Sequence, residues 1–318
     1  MLTVTVATAS NQSRALQLLF SRFPIDEQLP RVQDALAAAE RGSLSLEGLL
    51  LATESELPLG AALVMLQRDA TALVWPPVLS CGSQNQIRTE DALMQEVCRR
   101  IDAAGIRRSQ SLLIPDDHVE EILLTRHGFA YGADVFFLAR VFNRLDSEIN
   151  RVAPRENTGL AQHSVNKQCF GEVNRTRFAN VIEESYRNSL DCPHLKNFRD
   201  GADAIESHKL SGQFDPENWW IYSINGRDAG VLLLNGHPDQ NSVELVYFGV
   251  VPEMRGMGLG KTMLRQGIQL ASHRNYSAMF LAVDSENHYA NSIYSEFGFA
   301  ELARRRVMIR ISKDLARQ

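Results

Sequence analysis

The 318 residues carry a net charge of −5, with 44% hydrophobic and 22% charged side chains. This is the balance of packed globular cores, and it leaves no basic footprint for a nucleic acid. Four cysteines (Cys81, Cys98, Cys169 and Cys192) lack CxxC pairing or histidine partners at metal-ligand spacing, so free thiols in a cytoplasmic protein and no metal are expected. The opening "MLTVTVATASNQSRA" lacks a basic segment followed by an apolar core, and no run reaches membrane-spanning length, so no membrane partner is expected either.

In chain order, the first half predicts strands near 2–8, 48–54, 59–67 and 71–79, a helix over 90–104, a strand near 109–114 and a helix over 117–127. The stretch "NRLDSEINRVAPRENTG" is polar, carries Pro154 and reads as a linker. Beyond it, "TGLAQHS" predicts a strand, and "GEVNRTRFANVIEESYRNS" and "GADAIESHKLSG" predict helices. "NWWIYSING" and "RDAGVLLLNG" form a hairpin around Asn225-Gly226, the strongest short hairpin signal. "SVELVYFGVV", the helix "GLGKTMLRQGIQLASHR", the strand "AMFLAVD", the helix "HYANSIYSEF" and the closing "FAELARRRVMIRI" follow, with Arg304 to Arg306 expected on an exposed strand edge. The halves share a layout. Gly60 and Gly230 open matching strands 170 residues apart, and Gly128 and Gly298 repeat the same offset. Two landmarks in one order argue for duplication. The expected fold is α/β (α+β): residues 1–145 form one domain, 146–157 a linker and 158–318 a second domain, each a mixed, mostly antiparallel twisted sheet flanked by helices.

The most informative stretch is "VVPEMRGMGLGKT", Val250 to Thr262. A dinucleotide loop needs GxGxxG, but Gly256, Gly258 and Gly260 give GxGxG. A Walker A loop would place its opening glycine at Arg255, where a bulky side chain obstructs the backbone turn. What is met is [RQ]-x-x-G-x-[GA], through Arg255, Gly258 and Gly260, after a strand and Pro252 and at the start of a helix. A plain glycine-rich turn is the competing reading. A second element, "NHYANSIYSEFGF", supplies Asn287, Ala290, Tyr294, Gly298 and Phe299 in the pattern N-x-x-A-x-x-x-Y-x-x-x-G-F. Asn287, Asn291 and Tyr294 are expected on one helix face.

Together these motifs resemble the GNAT superfamily of acyl-CoA-dependent N-acyltransferases, with the resemblance running over residues 158–312. It implies an N-acetyltransferase that moves an acetyl group directly from acetyl-CoA to a primary amine of a small molecule or peptide, without a metal. The alternative is a protein that binds or senses acyl-CoA without turning it over. The resemblance assigns the coenzyme A pyrophosphate to Arg255, Gly256, Met257, Gly258, Leu259, Gly260 and Lys261, where glycines admit phosphate oxygens and the helix dipole favours anions. It assigns the pantetheine to the backbone of Phe248, Gly249 and Val250, with a bulge as the other reading of Gly249. Tyr294 takes the place of a general acid for the departing thiolate, its ordinary pKa of about 10 suiting a thiol leaving group. Asn287 either binds the cofactor or caps its helix. Glu244, sharing a face with Val246, Phe248 and Val250 by two-residue alternation, is the candidate base, with Asp284 and His288 in reserve; a solvated strand-end glutamate is the alternative.

The acceptor is expected near "SLDCPHLKNFRD", where Asp191, Cys192 and His194 either touch the substrate or build a capped turn. A Cys192–His194 nucleophile pair lacks a third orienting group nearby. The first copy departs from the pattern. It has only Gly82 where the glycine loop belongs, and "DDHVEEILLTRHGF" lacks the asparagine and tyrosine. It is expected to be a degenerate scaffold that binds no cofactor.

Overall fold

The computed structural model describes residues 1–67, 69–80, 85–116, 118–142, 160, 162–191 and 200–312. They divide into two compact units, one made of Met1–Gly132 with Arg306–Gln318 and the other of Ala133–Arg305.

The first unit runs β1 (Leu2–Val6), α1 (Gln12–Phe20), α2 (Ile25–Glu40), β2 (Leu49–Glu54), β3 (Leu57–Leu66), β4 (Thr71–Leu79), α3 (Gln86–Ala103), β5 (Arg108–Leu113) and α4 (His118–Arg126). Strands β1 to β4 pair antiparallel in sequence order, and β5 lies parallel to β4. β2 shows why helices cover both faces. Leu49 and Leu51 pack under α1 and α2 with Leu16, Leu19 and Phe20, whereas Leu50 and Ala52 pack under α3 and α4 with Leu93, Val97 and Leu124. A strand apolar on both faces must be covered twice. The β2–β3 turn holds Ser55 and Glu56 at φ 49° and 66°, and the equivalent Asn225 and Gly226 take φ 50° and 80°, the conformation foreseen for the second hairpin.

The rest of the chain runs β6 (Ala130–Val141), β7 (Val165–Cys169), α5 (Arg175–Tyr186), α6 (Gly201–Lys209), β8 (Trp219–Ile224), β9 (Arg227–His237), β10 (Ser242–Val250), α7 (Leu259–His273), β11 (Ala278–Asp284), α8 (His288–Glu296) and β12 (Ala300–Ile311), with only the segment Ala133–Arg305 in the second unit. β7 through β10 are antiparallel and β11 is parallel to β10. α5 and α6 cover one face, with Phe178, Ile182 and Ile205 against Trp219, Val231 and Leu233. α7 and α8 cover the other, with Met263, Leu264 and Ile268 against Tyr222, Leu232 and Leu281. The strand expected at "TGLAQHS" lies later, at β7, an almost wholly exposed edge strand without an apolar signature.

The units do not follow the boundaries drawn at 145 and 158. Val135–Val141 of β6 pairs with β11 in the second unit, and Arg306–Ile311 of β12 pairs with β5 in the first. Each copy's closing strand therefore completes the other unit's sheet. The linker expected at 146–157 lies outside the described residues. The exchange keeps the 170-residue offset. Arg310 Nε lies 3.8 Å from where a Cβ on Gly128 would sit, and Arg140 Nη1 lies 3.9 Å from the same point on Gly298. Arg304 and Arg306, expected at an exposed edge, instead pair with Asp134 and Glu121.

Arg310 fastens the borrowed strand. It is only 8% exposed, and its guanidinium grips Asp102 of α3 with two bonds of 2.8 and 2.9 Å. Asp102→Ala should leave that guanidinium buried without its carboxylate and cost about 2 kcal/mol, the usual worth of hydrogen bonds to a charged group. Urea denaturation reads the loss, and an unchanged midpoint would show that the pair contributes nothing.

Candidate functional site

β10 and β11 diverge. Their parallel ladder joins only Ser242, Val243 and Glu244 to Ala278, Met279 and Phe280, although β10 continues to Val250 and β11 to Asp284. Among the described residues, β10 has no strand partner on that side from Leu245 onward. On its other side it stays paired with β9, with a bulge at Val246. The bulge inserts one residue and so reverses the alternation. Val243 and Leu245 before it, and Phe248 and Val250 after it, all pack toward α7 and α8, while Val246 and Tyr247 pack toward α5 and α6. Glu244 therefore faces α5 and α6, opposite Phe248 and Val250, which corrects the face expected from simple alternation.

The free edge presents backbone groups to the gap. Val251 N–H bonds to Ala229 of β9, so its neighbour Val250 points the other way, and its carbonyl there accepts from Arg255 Nε at 3.0 Å. By the same alternation Phe248 offers its N–H and C=O to the gap. Gly249 owes its identity to α5. A Cβ there would lie 2.5 Å from Ser185 Oγ, which is itself bonded to Tyr247 and to the Ile182 carbonyl.

Beyond β10, a single 3-10 turn (Pro252–Met254) leads to Gly256 and Gly258 at φ 79° and 87°, a region L side chains seldom adopt. α7 begins directly after Gly258, with no side-chain cap and no acidic residue in its first turn. Its leading N–H groups and positive dipole end thus receive no capping side chain and no carboxylate from the helix's own first turn. Gly260 lets the helix approach the strand, since a Cβ would stand 3.3 Å from the Phe248 ring.

Two side chains expected at the loop are engaged elsewhere. Arg255 donates to the carbonyls of Val250, Ser185, Arg187 and Asn188 at 2.8 to 3.0 Å, tying the loop to the end of α5, and burial pulls its pKa below the usual guanidinium value. Lys261 pairs with Glu296 of α8 at 2.7 Å. Arg255→Ala should release the loop from α5, and amide exchange over Gly256 to Lys261 should quicken at least tenfold, corresponding to about 1.4 kcal/mol of lost local stability. Unaltered protection would refute the tie.

On α8, Asn287 is the N-cap: its side chain accepts from the Ala290 N–H at 3.2 Å. Asn291 turns back to the carbonyls of Asp284 and Ser285. The face expected to present an amide and a phenol to a ligand thus has both its amides engaged in fixing the start of the helix. Tyr294 is buried between Phe248 and Phe299, with ring centroids 6.2 and 5.6 Å away. Burial pushes its phenol well above the ordinary tyrosine range, and the Asp191 carboxylate adds to the shift. Asp191 in turn accepts from the Asp284 N–H at 3.1 Å. Across the sheet, Glu244 Oε2 accepts from Ser211 Oγ at 2.7 Å and from His237 Nε2 at 3.0 Å.

The profile of the acetyltransferase (GNAT) family covers residues 183–299. A GCN5-related N-acetyltransferase from Sphaerobacter thermophilus superposes with a TM-score of 0.62 at 15% identity, over 98% of this chain and 95% of that one. A tandem GNAT protein from the clavulanic acid biosynthesis pathway gives 0.53 at 12% identity, over 98% of each chain. Among curated proteins, a mycothiol acetyltransferase of Paenarthrobacter aurescens is 32% identical over 30% of this chain and 31% of its own, and the human N-acetylaspartate synthetase is 29% identical over 26% and 28%. Residues 183–299 thus carry a GNAT-family domain.

The matched stretches span under a third of those curated relatives, and the structural likenesses establish the fold alone. Within the GNAT frame, Phe248, Gly249, Val250, Gly256, Met257, Gly258, Leu259 and Gly260 form one run from the strand edge to the helix start. Cys192 and His194 lie outside the described residues. Of the reserve bases, Asp284 is 2% exposed, and His288 stacks on Tyr289 at the surface. Ser211 and His237 escaped the sequence reading. The available signal was the short turn of residues 238–241, which brings His237 across from Ser242, two residues short of Glu244.

The first copy keeps the divergence: among the described residues β4 and β5 pair only through Thr71–Leu73 and Arg108–Gln110. Its bulge, however, holds Pro76 and Pro77, which have no N–H to offer a ligand along the edge. Asn85 rather than glycine takes the left-handed position before α3, at φ 66°.

Proposed function

We propose that the second unit is an N-acetyltransferase that moves an acetyl group from acetyl-CoA to a primary amine of a small molecule or peptide by direct transfer. The observation carrying this reading is the free edge of β10 leading into the uncapped start of α7. Phe248 and Val250 would bond the pantetheine arm as an added strand, and the amides of Gly256 to Lys261 would take the pyrophosphate. Acetyl-CoA would supply the activated thioester. Glu244, at the closed apex of the gap, would take the proton of the incoming ammonium on the α5/α6 face. Tyr294, on the opposite face, would give a proton to the sulfur as the C–S bond breaks and the N–C bond forms. Glu244 and Tyr294 would thus act from opposite faces of the sheet, on either side of the gap. Asp191 and Glu244 are carboxylates suited to an ammonium acceptor. The relatives' names point to N-acetylaspartate and to mycothiol, so L-aspartate belongs in the first panel of amines tested.

The first unit, with its proline edge and without the glycine loop, is read as a scaffold. Calorimetric titration with acetyl-CoA should give one site per chain, and thiol release should appear when a matching amine is added. Two sites per chain would return the cofactor to the first unit. One observation favours a binding or sensing protein instead: Tyr294 is only 5% exposed. Tight binding of acetyl-CoA without thiol release across amino acids, polyamines and dipeptides would decide for that reading.

A further inference from the structure

We propose that His237 is a positioning residue that, together with Ser211, fixes the Glu244 carboxylate by one oxygen and leaves the other to accept the proton of the incoming amine. The inference rests on the acetyltransferase reading for its chemistry, but on the geometry alone for its placement. Both donors converge on Oε2, Ser211 Oγ at 2.7 Å and His237 Nε2 at 3.0 Å. Oε1 has no partner among the described residues, on a side chain 24% exposed. A carboxylate only accepts, so the geometry assigns the Nε2–H tautomer to His237.

The cluster is held from several sides. Gly212, at φ 71°, lies against the imidazole: a Cβ there would stand 2.6 Å from Nε2, so only glycine lets the ring reach Glu244. The Phe280 ring backs His237 at 5.0 Å. The segment carrying Ser211 is tied to β9 by backbone bonds between Gln213 and Gly236 in both directions, and by the Asn235 amide, which donates to the carbonyls of His208 and Ser211. Three segments therefore converge to set one carboxylate at the apex of the gap. A flexible glutamate has several rotamers; two donors on one oxygen select one of them and aim the remaining lone pairs.

The test combines kinetics with a measurement that needs no turnover. With the best amine of the panel above, His237→Ala should lower kcat at least tenfold while KM for acetyl-CoA stays within about twofold, and His237→Gln, whose amide can still donate, should recover most of the loss. Ser211→Ala should give a smaller loss of the same kind. Nitrogen-15 imidazole spectra of the wild-type protein at neutral pH should show His237 as the Nε2–H tautomer, and Glu244→Ala should release it to a mixture. Unchanged kcat in His237→Ala, or an Nδ1–H tautomer in the wild type, would overturn the proposal. If the wild type turns over none of the amines, the acetyltransferase reading fails, and the spectra still decide whether Glu244 holds His237.

Discussion

Replacing Tyr294 with phenylalanine is expected to lower turnover about one hundred-fold and to leave acetyl-CoA affinity within about twofold, the usual signature of a lost general acid. The substitution is clean. The ring keeps its contacts with Phe248 and Phe299, and among the described residues nothing hydrogen-bonds the hydroxyl that is removed. Stability should change little, because the ring packing is kept. Since burial and the Asp191 carboxylate both push the phenol upward, Tyr294 stays protonated throughout the neutral range, and the alkaline side of the rate profile should not report its ionisation. Steady-state kinetics alongside calorimetric titration separates the two quantities. Intact turnover would make Tyr294 a packing residue and take the acid out of the mechanism.

Gly258→Asp should weaken acetyl-CoA binding by at least an order of magnitude. The position sits at φ 87° directly before the first turn of α7, where a carboxylate would occupy the amides and repel a pyrophosphate at close range. Gly258→Ala separates the causes, for it adds the conformational strain, about 1 kcal/mol, without the charge. If the aspartate variant folds and binds as tightly as the wild type, the phosphates do not lie at this helix start.

Much of this was legible in the sequence. Asn225-Gly226 announced its hairpin, the paired glycines announced the duplication, and Gly256 and Gly258 announced a tight strand-to-helix turn, because each depends on the conformational needs of a residue or two. What stayed hidden depends on partners distant in sequence. Arg255 reads as a phosphate ligand, yet its donors go to four carbonyls, three of them near the end of α5. The bulge falls at Val246 and not at Gly249, the residue in "ELVYFGV" that suggested one, so the face assigned to Glu244 was inverted. Ser55-Glu56 forms the same turn as Asn225-Gly226 without its residues, since the surrounding strands impose it. The exchange of closing strands left no trace, because both copies carry a similar last strand and either one fits either sheet.

That exchange dictates an order of assembly during synthesis. The second unit is one unbroken stretch, Ala133–Arg305, whereas the first needs residues from both ends of the chain. A ribosome releases the amino-terminal strands early, yet β5 gains its neighbour only once Arg306–Ile311 has emerged. Until then β5 carries an unpaired edge of the kind that recruits other chains. The half made first must therefore wait for the last strand of the chain.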